Sequence, residues 1–227
     1  MIAMVRMRLG GFVRTARAVP PLVAGLVALV VLHGGAGAEA AEAYGVSAVV
    51  LFPILAWQTK LLLDTEPDTQ RRLVAVAAGR RSEFVGGLLA AGVVGVALIP
   101  LALAVPWLVG GVTAPVRAGE LGVGLAIGLW AHLLALPAAV GLGALASRAA
   151  VTSPLYGVVI LVCGVVGVFV FGLRDSVVPW LVPPVLAVAR ASAAGPTGAE
   201  IALLTGHALL WSAVAIAGYA GLRRRRA

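Results

Sequence analysis

Cysteine is nearly missing from this chain, and so is lysine. The one cysteine in 227 residues, Cys163, sits in the apolar run VILVCGVV, which excludes a disulfide framework or a cysteine-based metal site within one chain. The one lysine, Lys60, follows Thr59 and precedes Leu61, so the phosphate-cradling pattern G-x-x-x-x-G-K-[ST] cannot occur. GAGAEA, residues 35 to 40, superficially has the glycine spacing of a dinucleotide fingerprint, but it follows an apolar helix and no βαβ unit surrounds it. Charge is scarce too: 11% of residues are charged against 61% hydrophobic, with a mean hydropathy of +1.06. Those values lie outside the range of soluble globular domains. The apolar runs leave no room for a separate soluble domain of ordinary size. No Asp or Glu falls well inside an apolar run, which argues against a proton-driven secondary transporter. No Ser, His and acid combination or pair of His ligands stands at a spacing that local geometry would bring together.

What is present is a series of six apolar runs near the roughly 20 residues that a helix needs to cross the hydrocarbon core. They cover 18 to 33, 44 to 62, 84 to 109, 121 to 146, 155 to 173 and 200 to 222. All should be helical, because an isolated strand in lipid leaves its backbone polar groups unpaired. The expected fold is therefore all-α, a single polytopic membrane domain over 1 to 227 with six transmembrane helices. A shorter apolar piece, Val177 to Ala189, is broken by Pro179, Pro183 and Pro184, and we read 176 to 198 as a re-entrant segment. Residues 1 to 17 mix Met, Ile, Val, Leu and Phe with spaced Arg, the pattern of an amphipathic helix on the membrane surface. The basic start, the apolar run from Leu22 to Leu32 and the small residues after it mimic a secretory signal. We read the run as a retained first span, with Pro20 and Pro21 in its first turn.

Lys and Arg concentrate in loops on the cytoplasmic side. With both termini cytoplasmic, 14 of the 17 basic residues fall inside, including Arg6, Arg8, Arg14, Arg17, Arg148 and Arg223 to Arg226. Net charge is then +10 inside and −2 outside. Counting the Pro-rich piece as a seventh span would move the terminal arginines outside, against the rule. Topology and anionic lipid thus account for the overall +8, and no nucleic-acid partner is needed. Heavy use of Ala, Gly, Val and Arg points to a GC-rich bacterial genome and hence a bacterial plasma membrane.

KLLLDTEPDTQRRLVAVAAGRRSEF, Lys60 to Phe84, carries nine of the 26 charged residues and falls in the loop between the second and third spans. Thr65-Glu66-Pro67-Asp68 reads as a helix start, with Thr65 or Glu66 as cap and Pro67 in the first turn. Asp68 and Arg72 stand at the i, i+4 spacing that pairs charges. Gly79 is the expected stop, with Arg80 and Arg81 at the helix's negative end. A solvated loop would be charged as well, but a mere connector need not be capped or so long.

This layout resembles the membrane subunits of type-2 ATP-binding cassette exporters: an N-terminal surface helix, six spans, a short helix after span two and a broken apolar hairpin before span six. The similarity covers essentially the whole chain and is carried most directly by LLLDTEPDTQRRLVAVAAGRRSEF. This chain departs from the family in entering span three through Gly79-Arg80-Arg81. The resemblance implies that the 64 to 83 loop is a coupling element docking on a separate ATPase subunit, with Glu66, Asp68, Arg71 and Arg72 in contact. It also implies that ATP and Mg are bound by that partner, that this chain has no cofactor or catalytic residue of its own, and that it pairs with a second copy or a paralogue. The apolar spans suit a lipophilic or amphipathic cargo. A permease of the cytochrome c maturation type has a similar layout, and a non-transporting scaffold or immunity protein would keep the same topology. An intramembrane enzyme would need His132 or His207.

Those two histidines are the candidate titrating groups well inside spans, against the plainer reading of an imidazole satisfied by a backbone carbonyl or by water. Gln58 and Glu200 lie near span ends and need not be buried. Gly124-x-x-x-Gly128 and the series Gly87, Ala91, Gly95 allow close helix approach, within the chain or between subunits. Pro53, Pro100, Pro106 and Pro137 should kink or end their helices. Trp57, Trp107, Trp180 and Trp211 fall mostly near predicted interfaces.

Overall fold

A computed structural model describes residues 2–35, 37–114 and 117–225. Arg226 of the C-terminal basic run and Ala36 of GAGAEA lie outside the described residues. Helices dominate: α1 (Ile2–Arg14), α2 (Val19–His33), α3 (Ala40–Leu63), α4 (Asp68–Ala78), α5 (Arg80–Leu108), α6 (Glu120–Leu145), α7 (Pro154–Phe171), α8 (Val185–Ala194) and α9 (Gly198–Arg224). The described residues include no named strand, only an isolated bridge between Ala38 and Val112. Five helices, α3, α5, α6, α7 and α9, are long and apolar enough to cross a membrane. Their ends fall within four residues of the expected runs. α2 has 15 residues, about 22 Å at 1.5 Å per residue, short of a core of about 30 Å. It joins α1 at a bend of 74°, and the two count as a sixth crossing only if taken as one broken span.

The centre is the α3–α6 pair, the most extensive helix contact in the chain. It is close because α6 presents glycine to α3 along its length. A Cβ on Gly124 would meet Ala40, one on Gly128 would meet the Tyr44 side chain, and one on Gly143 would meet the Ala56 carbonyl oxygen and Thr59. The glycine spacing in α6 is thus used within the chain. The same holds in α5, where Gly87 faces Arg8 and Gly95 faces Leu136. None of the four prolines ends its helix where it stands: Pro53, Pro100, Pro106 and Pro137 all lie inside helices that continue past them. In the first turn of α2, by contrast, Pro20 and Pro21 sit where backbone donors have no partner.

α7 and α9 are peripheral. Val158, Val162, Val166 and Val170 expose one apolar stripe of α7 at four-residue spacing, as a lipid-facing helix requires. The stretch before α9 forms a 3-10 turn at Pro179–Leu181 and then α8, which packs Val185, Val188, Ala189 and Ser192 inward, chiefly on α3. Thr197 and Glu200 then cap α9 reciprocally. Glu200 is exposed as expected, but Gln58 is buried, 3% exposed.

At the end of the bundle holding residues 37–39 and 109–114, Trp107 Nε1 donates to the Tyr44 hydroxyl at 2.6 Å, joining α5 to α3. Tyr44 is fully buried. Trp107→Phe and Tyr44→Phe should each lower stability by about 1 kcal/mol, and the double variant by less than their sum. Urea or thermal unfolding of the four purified proteins checks this, and full additivity would deny the bond an energetic role.

Candidate functional site

At the opposite end, the charged island does not stand alone. Arg8 lies on the same face of α1 as Met4 and Phe12, and all three are buried. Its guanidinium forks onto Glu66, Nε to Oε1 at 3.1 Å and Nη2 to Oε2 at 2.9 Å, and Nη2 also donates to Glu83 Oε1 at 2.7 Å. The other oxygen of Glu83 accepts from Arg223 of α9. Four alternating charges therefore link α1, the α3–α4 turn, α5 and α9. Glu83 is the pivot, 1% exposed and held between two arginines. Gly87, one turn along α5, leaves the space that the Arg8 guanidinium occupies. Beside this chain the Arg223 guanidinium lies 5.6 Å from the Phe84 ring centre and 5.5 Å from that of Tyr219, and the two rings stack at 5.5 Å.

A second node is Asp64. Lys60 Nζ donates to its Oδ2 at 2.7 Å, the backbone N–H of Arg148 to its Oδ1 at 2.6 Å, and Arg17 to its carbonyl oxygen at 2.9 Å. This ties the α1–α2 turn, the end of α3 and the α6–α7 turn together. Paired, hydrogen-bonded charges of this kind avoid the cost of leaving a buried ion alone.

Between these nodes the island folds into α4, though not as its sequence suggested. Neither Thr65 nor Glu66 caps it. The N-cap position is Pro67, with no side-chain bond, while the Thr65 hydroxyl donates to the Leu61 carbonyl. Glu66 is taken by Arg8, because a bidentate charged pair outweighs a single bond to an exposed helix end. Asp68 pairs with Arg71, three residues on, and not with Arg72. Gly79 does stop α4, at φ +86°, which favours glycine. It is at once the N-cap of α5, so Arg80 and Arg81 open that helix instead of closing α4. No residue of α4 is buried, and Leu73 and Val76 are 71% and 87% exposed.

α4 overhangs a groove of about 1240 Å³ whose other walls are the start of α5, the α6–α7 turn and the end of α9. Seven arginines and one acid, Asp68, line it, above an apolar floor that includes Phe84, Val85 and Ala220. Arg71 and Arg223 are paired. Among the described residues, the side chains of Arg72, Arg80, Arg81, Arg148 and Arg224 have no carboxylate in ion-pair reach. The chemical capacity of such a place is to hold negative charge.

Of the sequence candidates, Glu66, Asp68, Arg71 and Arg72 gather at this end, but only Asp68 and Arg71 pair, and Glu66 belongs to the buried ion chain. His132 and His207 are elsewhere. His132 is buried in α6; its Nδ1 is 2.7 Å from the Gly128 carbonyl oxygen, and its Nε2 has no protein partner among the described residues. His207 is half-buried, its Nε2 3.1 Å from the Trp180 carbonyl oxygen. A third histidine, His33, is buried against the Ser47 hydroxyl at 2.9 Å and was not singled out. Neither were Arg8, Glu83 and Arg223. For Arg8 a signal exists: it repeats at four-residue spacing with Met4 and Phe12, which places it on the apolar face of its helix.

The chain matches no known family model, and no match to it is found among curated proteins or solved structures.

Proposed function

We propose that this chain is the transmembrane subunit of an ATP-binding cassette exporter in a bacterial plasma membrane, working as a pair with two separate ATPase subunits. The observation that carries the reading is α4: a short helix with no residue buried in its own fold, presenting Leu73, Val76 and Arg72. It is anchored before its start by the Glu66–Arg8 fork and after its end by Gly79, which passes directly into α5. A surface so exposed, so apolar and yet so fixed suits a protein partner. ATP and Mg belong to that partner, and the cargo is lipophilic or amphipathic.

In this reading both termini are cytoplasmic, as the +10 against −2 charge division favours. α1 lies along the inner surface, α2 completes a sixth crossing, and α8 with the turn before it forms a re-entrant element on the outer side.

The test is purification of the tagged protein from its host by gentle extraction. A stoichiometric ATPase is expected, and Leu73→Ser with Val76→Ser and Arg72→Ala should reduce its recovery about tenfold, since losing a few interface contacts costs on the order of 1–2 kcal/mol. Glu66 is excluded from the variant set because its loss would disturb the ion chain. Absence of an ATPase under several mild conditions, or recovery unaffected by the triple change, overturns the reading.

A further inference from the structure

We infer that the basic groove beneath α4 is a binding site for the headgroup of an anionic glycerophospholipid from the surrounding leaflet. This rests on the helices spanning a bilayer and not on the chain being a transporter subunit.

Charge gives the first reason. Five guanidinium groups without a carboxylate partner among the described residues line one cavity, and basic pockets between membrane helices are suited to phosphate-bearing headgroups. Guanidinium is the side chain best matched to phosphate oxygens. The cavity, about 1240 Å³, exceeds the space of a typical small-ligand pocket. Position gives the second. The floor comes from the first turns of α5 and the last turn of α9, where spanning helices end, so the groove lies where lipid gives way to water. Continuity gives the third: from Val85 at the floor an exposed apolar stripe runs up α5 through Leu89, Val93 and Val96. An acyl chain laid along that stripe would carry its phosphate into the groove. An acidic protein segment would satisfy the arginines but leave the stripe uncovered, so the lipid fits more of what is there.

The probe is dioleoylphosphatidylglycerol, titrated onto the delipidated full-length protein in neutral detergent and read by native mass spectrometry, with dioleoylphosphatidylcholine as reference. The wild type should hold the anionic lipid selectively. Arg80→Gln, Arg81→Gln and Arg148→Gln together should weaken it on the order of a hundredfold, about fivefold for each arginine. The corresponding triple Lys variant should bind within a few-fold of wild type, which separates lost charge from a damaged fold. Equal binding of both lipids, undiminished binding by the Gln variant, or displacement by millimolar inorganic phosphate alone overturns the inference. So does a co-purifying protein that fills the groove and shuts the lipid out.

Discussion

Glu83→Ala should be the most damaging single change of charge in this protein. It leaves the buried Arg8 with Glu66 and deprives Arg223 of its only carboxylate among the described residues. Removing one member of a buried, hydrogen-bonded set costs about 3–5 kcal/mol, because the remaining charge stays desolvated. The expected result is a large drop in the thermal unfolding midpoint of the detergent-solubilised protein, together with faster hydrogen exchange in both α1 and α9. Exchange is the more telling readout, since these helices are far apart in sequence and Glu83 is their common partner. Glu83→Gln should fall between, as it keeps the shape and a hydrogen bond but not the charge. An unchanged midpoint for Glu83→Ala would mean that water, not Arg8 and Arg223, solvates this carboxylate.

Gly143→Leu is expected to be comparably severe for a different reason. Even the first added carbon would meet the Ala56 carbonyl oxygen and the Thr59 side chain. A backbone atom cannot rotate away, so α3 and α6 must separate along the most extensive contact in the bundle. Overpacking typically costs about 1–3 kcal/mol, more where nothing can yield, and here a loss of about 3 kcal/mol or failure to fold is expected. Gly92→Leu in α5 is the control, because nothing lies within 4 Å of a Cβ at that position. Size-exclusion profiles and unfolding midpoints of the two variants side by side give the answer. A well-folded Gly143→Leu would show that the α3–α6 contact is softer than its geometry implies.

The helices were legible in the sequence to within a few residues because apolar length is a one-dimensional property. Pairing was not. Asp68 met Arg71 in place of Arg72, and both spacings put the charges on one helix face, so spacing alone could not choose between them. Glu66 looked like a cap because it precedes a helix by two residues, and only the fold reveals an arginine 58 residues upstream. Glu83 was assigned to a loop because the apolar run begins at Phe84, but α5 starts earlier, at Arg80, and draws the acid in. The glycine spacing of α6 was read correctly as permitting close approach, while its partner, α3, was not deducible from it. The histidines attracted attention because ionisable groups are costly in lipid, yet the denser set of buried charge sits at the end of the bundle.

The ion chain also bears on how the protein is made. Along the chain Arg8 precedes Glu66 by 58 positions and Glu83 by 75, and Arg223 follows Glu83 by 140. Until the last turn of α9 has been translated and released, one oxygen of Glu83 has no arginine to accept from. The link from Glu83 to Arg223 therefore closes only once α9 has been translated, later than Arg8 can meet Glu66 and Glu83.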